Sequence, residues 1–389
     1  MDIGKLRAWW SHRQGLDGEV GESAAGTLGR TGWARSVGGS GPYLGLYARA
    51  GLSREAVDAA VARLEVHELP SARGCTYVLP AEDFALGLRL GAGAPEGELA
   101  AAVKHLGVTR AEIEGLCEAV TGVLGERPLD PAAIKAATGD AVRGLGEAGK
   151  KRGTATTLPL ALGLLQARGA IRRVPVNGRL DQQRYGYVAW GLDMGEWTAE
   201  SARAELARRY FEWAGPASMA HFRWFSGFTA TAAKAAVAGL GLRPVDGTDL
   251  LWTEDTAAAY ARFTAPKEPS YALVAGIDGI HLLHRDFGRL LDPADAQRPE
   301  LTGPKALGAL SDSPAHMIVD RGRLVGLWEF DTEAQEIVRQ TWVAPDAELR
   351  AAVASAEAFV RDQLGDARSF SLDSPKSREP RIAALRSGR

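Results

Sequence analysis

The stretch Lys150–Trp190, KKRGTATTLPLALGLLQARGAIRRVPVNGRLDQQRYGYVAW, decides how the rest of the chain is read. It opens with three consecutive cations, runs into an apolar helical pattern (Leu158, Leu160, Ala161, Leu162, Leu164, Leu165) and stops at Gly169. Ile171 to Val176 then reads as a strand, Asn177-Gly178 as a tight turn whose residues both tolerate positive φ, and Arg179 to Trp190 as a basic return strand. A helix followed at once by a two-stranded hairpin is the order of a winged helix-turn-helix, whose second helix often enters a major groove. Between Val142 and Arg184 stand Arg143, Lys150, Lys151, Arg152, Arg168, Arg172, Arg173, Arg179 and Arg184, against only Glu147 and Asp181. The whole chain carries a formal charge of -2, so this segment's +7 leaves about -9 for the remainder. One basic stripe on an otherwise acidic protein is an electrostatic footprint for a phosphate backbone.

The same order recurs on either side. Toward the N-terminus, residues 3–14 form a helix with Ile3, Leu6, Trp9 and Trp10 on one side, and Gly21–Arg30 a second. The glycine-rich link Gly32–Pro42 leads to a helix over Tyr43–Arg49. Ser53 then caps SREAVDAAVARL, and a hairpin follows over Val66–Pro70 and Cys75–Pro80. Gly91–Gly97 is a composition break read as a linker, and Thr109 caps the helix beyond it. Toward the C-terminus come helices over Ala199–Trp213, Pro216–Phe225 and Ala230–Leu240, then a hairpin turning at Asp246-Gly247. Helix-then-hairpin thus appears near residues 53–80, 156–190 and 229–253, which predicts three tandem winged-helix units.

From Tyr271 the pattern changes to strands. Ala272–Ile277 and Ile280–Leu283 flank an expected hairpin turn at Asp278-Gly279; Met317–Val319 and Leu324–Trp328 flank Asp320–Gly322; Ile337–Trp342 follows, then a helix over Asp346–Gln363. The basic, serine-containing tail Arg368–Arg389 reads as extended along the surface and partly disordered. The fold class is therefore α+β: winged-helix units at 1–92, 97–195 and 196–266, then a small C-terminal β-rich domain at 270–389.

At 389 residues the chain is too long for one core, and its 46% hydrophobic and 24% charged content is that of a globular protein. Cys75 and Cys117 are too few for a disulfide framework. The charged start and the lack of any bilayer-length apolar run point to a cytoplasmic protein without a membrane partner. The scattered histidines have no metal-ligand spacing, no phosphate-cradling Gly-Lys-Ser/Thr loop occurs, and Ser36 sits in no nucleophile elbow, so no metal or cofactor is expected. No heptad run marks a dimer helix, and a monomer is expected.

Three pieces, in their order and spacing, resemble the tandem winged-helix family of the AlkZ/YcaQ DNA glycosylases over nearly the whole chain. They are GPYLGLYAR at Gly41–Arg49, YALVAGID at Tyr271–Asp278 leading to His284-Arg285-Asp286, and VDRGRLVGLW at Val319–Trp328. The resemblance implies a concave basic surface built by three winged helices, a β-barrel-like C-terminal part, and excision of bulky alkylated bases or unhooking of interstrand crosslinks. In that family two glutamines, one residue apart, stand shortly before the segment matching Pro42-Tyr43 and hold water against an oxocarbenium-like sugar. The matching positions here are Arg35 and Val37. A guanidinium binds phosphate but stays protonated, and valine has no polar group.

The candidate contacts to double-stranded DNA are Arg35, Lys150, Lys151, Arg152, Arg172, Arg173, Arg179 and Arg184, with Thr156, Thr157, Gln182 and Gln183 as neutral hydrogen-bond partners. A solvated charged face is the plainer account of the same residues. The loop Trp33–Gly41 has the glycines that let a nucleotide approach a backbone, or is simply a helix-linking loop. Asp278 and Asp286 are the carboxylates placed to orient water in place of the glutamines. The same two residues also read as turn chemistry at Asp278-Gly279 and an Arg285–Asp286 ion pair. Two function classes follow: a DNA-repair glycosylase cleaving an N-glycosidic bond, or a non-catalytic DNA-binding protein, either a transcriptional regulator or a lesion sensor.

Overall fold

The computed structural model describes residues 1–18, 23–182 and 184–388. It divides into two compact units. One comprises Met1–His67, Tyr77–Ala81 and Arg203–Arg389; the other comprises Glu68–Thr76 and Glu82–Ala202. The architecture is mixed α and β, with many short helices and small antiparallel sheets.

In the first unit the helix Ile3–Arg13 starts where the Asp2 carboxylate accepts from Gly4 and Lys5 N–H. It buries Leu6, Trp9 and Trp10. Both indoles go inside because each N–H finds a carbonyl: Trp9 donates to Gly215 (2.8 Å) and Trp10 to Pro216 (3.1 Å). The helix Ala24–Thr31, capped by Ser23, begins inside the expected span; Gly21 lies outside the described residues. Next come β1 (Ala34–Arg35), the helix Gly41–Ala50 with proline in its first turn, the Ser53-capped helix Arg54–Ala62, β2 (Val66–Pro70), which passes into the second unit from Glu68 onward, and β3 (Thr76–Pro80). The sheet runs β1-β3-β2.

In the second unit the helix Arg110–Val123 opens with a reciprocal Thr109–Glu112 capping box. The helices Pro131–Thr138, Gly146–Lys151 and Leu158–Ala167 follow, then β4 (Ile171–Pro175) and β5 (Tyr185–Ala189). Leu129 bridges Tyr187 of β5, so a strand-like residue preceding the helices again sits beside the last strand. The inward leucines of Leu158–Ala167 join Ile113, Leu116 and Val120 in one core. Back in the first unit, β6 (Ala217–Ser218) precedes the helices Met219–Ser226 and Ala230–Val237, and β7 (Arg243–Pro244) and β8 (Leu250–Trp252) close the group in the order β6-β8-β7. All three expected groups therefore share strand–helices–strand–strand, with the first strand against the third.

Last come β9 (Tyr271–Val274), β10 (His316–Asp320), β11 (Arg323–Asp331) and β12 (Glu336–Thr341), an antiparallel sheet in the order β12-β11-β10-β9. This is an open sheet among the described residues, not the barrel-like closure expected. Its inner face buries Met317, Val319, Leu324 and Leu327 against Trp9, Trp10 and Phe287.

Four further expectations are corrected. Asp278-Gly279 is no hairpin turn: Asp278 caps a short helix, Gly279–Leu282, because its carboxylate accepts the Ile280 N–H. The β4–β5 connection spans residues 176–184 instead of two; Gly178 has φ 74° but Asn177 does not, and the loop folds back to bury Leu180. Gly91–Gly97 is not a linker but lies in the helices Phe84–Gly91 and Gly93–Leu106. A Cβ at Gly91 would sit 2.7 Å from the Pro70 carbonyl oxygen, so that glycine serves close packing rather than freedom. The tail is helical over Pro375–Ser387; Arg378 pairs with Asp366 (2.7 Å), and Arg381 with Glu329 (2.7 Å) and Asp373 (2.8 Å). Among the described residues no helix is long and apolar enough to cross a membrane.

Candidate functional site

Two regions hold the residues singled out in the sequence, one in each unit, and each is described by itself.

In the first unit a cavity of about 30 Å³ is lined by Trp33–Arg35, by Gly41, Gly45 and Arg49 of one helix, by Gln14, and by Ile277–Gly279. That volume holds a water or two and is far too small for a nucleobase. Its floor is an ion pair. Arg49 Nη2 and Nη1 donate to Asp278 Oδ1 (2.6 Å) and Oδ2 (2.8 Å), with both side chains buried. Arg49 also donates to the Gly45 carbonyl (3.1 Å) and to Gln14 Oε1 (3.3 Å), while Gln14 Nε2 donates to the carbonyls of Thr31 (2.7 Å) and Trp213 (3.3 Å). A Cβ on Gly279 would stand 2.6 Å from Gln14 Oε1, so a side chain there would make Gln14 shift.

Asp278 thus reaches the cavity wall, but Arg49 and the Ile280 N–H take both its oxygens. The expected partner carboxylate, Asp286, is not among the lining residues. It caps the turn Phe287–Leu290 and pairs with Arg289 (2.7 Å), with His221 at 3.8 Å; burial holds His221 below the usual histidine range. The Arg285–Asp286 pair does not form either: Arg285 pairs with Asp312 (2.8 Å) and lies over the Trp224 ring at 4.5 Å. Of the two positions expected from the resemblance to match the glutamines, Arg35 lines the cavity, its guanidinium 5.4 Å from the centre of the Tyr77 ring. Val37 is not a lining residue; its carbonyl accepts from Ser371 N–H (3.1 Å). Arg49 and Gln14 were not among the expected site residues. Arg49 had a signal, since it ends the stretch Gly41–Arg49; Gln14, at the end of an amphipathic helix, had none.

In the second unit the basic stretch is less uniformly free than its charge count implies. Arg143 pairs with Glu112, Arg168 with Glu114 and Lys150 with Glu147 (2.7, 2.7 and 2.8 Å). Arg173 lies 3.3 Å from the buried Glu68 carboxylate and 4.6 Å over the Tyr185 ring. Burial, with Glu68 beside it, pushes the Tyr185 phenol well up. Arg179 makes a two-pronged pair with Asp181. Thr157 is fully buried and its hydroxyl accepts the Arg143 N–H (3.1 Å), so it ties two backbone segments together inside the unit. Thr156, bridged to Gly144, and Gln182 are half-buried, and Gln183 lies outside the described residues. Among the described residues Lys151, Arg152 and Arg184 are exposed and have no ion pair; Arg172, on β4, is half-buried, and burial lowers its pKa.

Comparison with known proteins bears on both regions. The family model described as "DNA glycosylase AlkZ-like" matches residues 37–365. The solved structure of the Streptomyces sahachiroi DNA glycosylase AlkZ is similar, with a TM-score of 0.70 and 22% identity, covering 95% of this chain and 98% of that one. At that identity the likeness speaks for the fold. No curated protein matches the sequence. The match begins in the loop just after the cavity-lining strand and runs through both units to the segment after the last sheet, and on its extent the chain belongs to the AlkZ-like DNA glycosylase family.

Proposed function

We propose that the protein binds double-stranded DNA and hydrolyses the N-glycosidic bond of bulky alkylated bases, acting as a monomer without a cofactor. The observation that carries this reading is the family match over residues 37–365. The three recurring strand–helices–strand–strand groups support reading them as tandem winged helices. β2–β3, β4–β5 and β7–β8 are then the wings. Lys151, Arg152, Arg172 and Arg184 are the phosphate contacts, since among the described residues these cations have no carboxylate to leave.

Loss of an alkylated base builds positive charge on the sugar, so the site needs fixed acceptors and a held water, not a strong base. In this reading Asp278 supplies the negative potential beneath the cavity and Arg49 fixes its orientation. Gln14 holds Arg49 in turn, making both positioning residues. Arg35 takes the phosphate beside the lesion, a task suited to a group that stays charged. A second reading, lesion binding without cleavage, is favoured by Arg35 and Val37 at the glutamine-matched positions and by the full engagement of both Asp278 oxygens.

Single-turnover incubation with duplexes carrying N7- or N3-alkylpurines, simple and bulky, decides between them. Base release from the bulky substrates is expected. Tight lesion binding with no release would establish the second reading, and release that first appears in an Arg35→Gln, Val37→Gln variant would locate the chemistry at this cavity.

A further inference from the structure

Beside the cavity, in the same unit, the segment Arg368–Asp373 is fastened along the glycine-rich loop. The Arg368 carbonyl accepts from Ser40 N–H (2.9 Å) and Ser40 Oγ (3.1 Å), and Ser371 N–H donates to the Val37 carbonyl (3.1 Å). The approach is so close that a Cβ on Gly39 would sit 2.4 Å from the Ser369 carbonyl oxygen. From the other side Asp373 accepts from Ser369 N–H (3.0 Å), donates its own N–H to the Phe370 carbonyl (3.0 Å), and is gripped by Arg381 (2.8 Å). The segment is a braced turn on a loop whose flanking residues, Arg35 and Gly41, both line the cavity.

That braced turn points two large apolar side chains outward. Phe370 is 46% exposed and Leu372 83%, the latter the most exposed of the large hydrophobic residues described. Leaving apolar surface in water is unfavourable, and the bonds above hold the backbone that carries these two side chains. A mobile tail would expose apolar residues without consequence; a rigid one holds them ready for a partner. The pair is bracketed in sequence by Arg368 and Lys376 and interleaved with Ser369, Ser371 and Ser374. Short hydroxyls and cations around a projecting apolar tip suit a sugar–phosphate backbone flanking a base stack.

We propose that Phe370 and Leu372 form a wedge that enters the base stack next to the lesion when the protein binds duplex DNA, opening the step that faces the cavity. The proposal rests on the DNA-binding reading above. Proteins that unstack DNA use Phe and Leu in this way, and the energy is least where a damaged base already stacks poorly. The two residues touch no reacting atom and are positioning residues.

The test uses the full-length protein and a duplex with 2-aminopurine placed beside a tetrahydrofuran abasic-site analogue, because 2-aminopurine brightens when unstacked. Wild type is expected to raise the fluorescence several-fold on binding. The Phe370→Ala, Leu372→Ala variant is expected to lose most of that rise while keeping its melting temperature and the slope of binding against salt, since neither side chain is a charge or a core group. A Phe370→Trp variant should keep the rise. A double-alanine variant that brightens the probe as wild type does would overturn the wedge. Wild-type binding with no brightening would also overturn it and leave the DNA-binding reading standing. Absence of wild-type binding at low salt would overturn both.

Discussion

Arg49 and Asp278 are the residues on which the cavity depends. Two charges this deeply buried are tolerable only when hydrogen bonds saturate them, and here the bidentate pair, the Gly45 carbonyl, Gln14 and the Ile280 N–H do so. Asp278→Asn leaves the guanidinium buried against a neutral amide. It is expected to destabilise the first unit by about 3–5 kcal/mol, read as a lowered urea midpoint. Asp286→Asn, at a part-exposed pair with Arg289, is expected to cost less than about 1 kcal/mol. Were Asp278 a dispensable base instead of an anchor, its asparagine variant would unfold at the wild-type midpoint and lose only base release. Asp278 was visible in the sequence as a carboxylate before a glycine. Its partner was not, because Arg49 lies 229 positions away in the chain.

At the level of elements, the basic wing shows why a charge count overstates a binding surface. Glu68, Glu112 and Glu114 lie outside the Val142–Arg184 window yet neutralise Arg173, Arg143 and Arg168. The cations left for phosphate cluster after the short helix Gly146–Lys151 and at the base of β5. Neutralising Lys151, Arg152 and Arg184 together is expected to lower the slope of log binding constant against log salt by nearly three, at about 0.9 per phosphate. Neutralising Arg172 and Arg173 should change it by only about one, because Arg173 is committed to Glu68. Slopes measured for both variants settle which set meets the backbone; an unchanged slope in the triple variant would put the contacts elsewhere.

Across the whole molecule, burial sets an acid limit on stability. His281, His284 and His316 are held neutral in the first unit, with pKa values lowered by burial to about 4, 3 and 4. In the unfolded chain they titrate near 6.5, so as pH falls below that value the unfolded state binds more protons and stability is lost down to the folded pKa values. Glu329 works the other way. Burial lifts it to about 7 even beside Arg381, so its contribution is present below about 4.5 and is lost as pH rises through 7. Three histidines outweigh one glutamate, and the urea midpoint is expected to drop between about pH 7 and pH 5, more steeply in Glu329→Gln. A midpoint that stays level over that range in the wild type would contradict the assignment of neutral buried histidines.

The sequence by itself determined the local order of the chain. Helix starts at Ser53 and Thr109, the apolar run Leu158–Ala167, and the strands on either side of Asp320–Gly322 all follow from caps, periodicity and turn residues that act over a few positions. Tertiary structure decided whatever depends on a partner distant in sequence. Gly91 reads as a flexible break until the Pro70 carbonyl is seen against it. The Arg368–Arg389 tail reads as extended and partly disordered because it is basic and polar, but Arg378 and Arg381 find Asp366, Glu329 and Asp373, and that pairing turns most of it into a docked helix. The cavity is the furthest case, since Gln14, Arg35, Arg49 and Asp278 meet only because the N-terminal helix, β1, the Gly41–Ala50 helix and the turn after β9 pack in one core, and no spacing along the chain encodes that meeting.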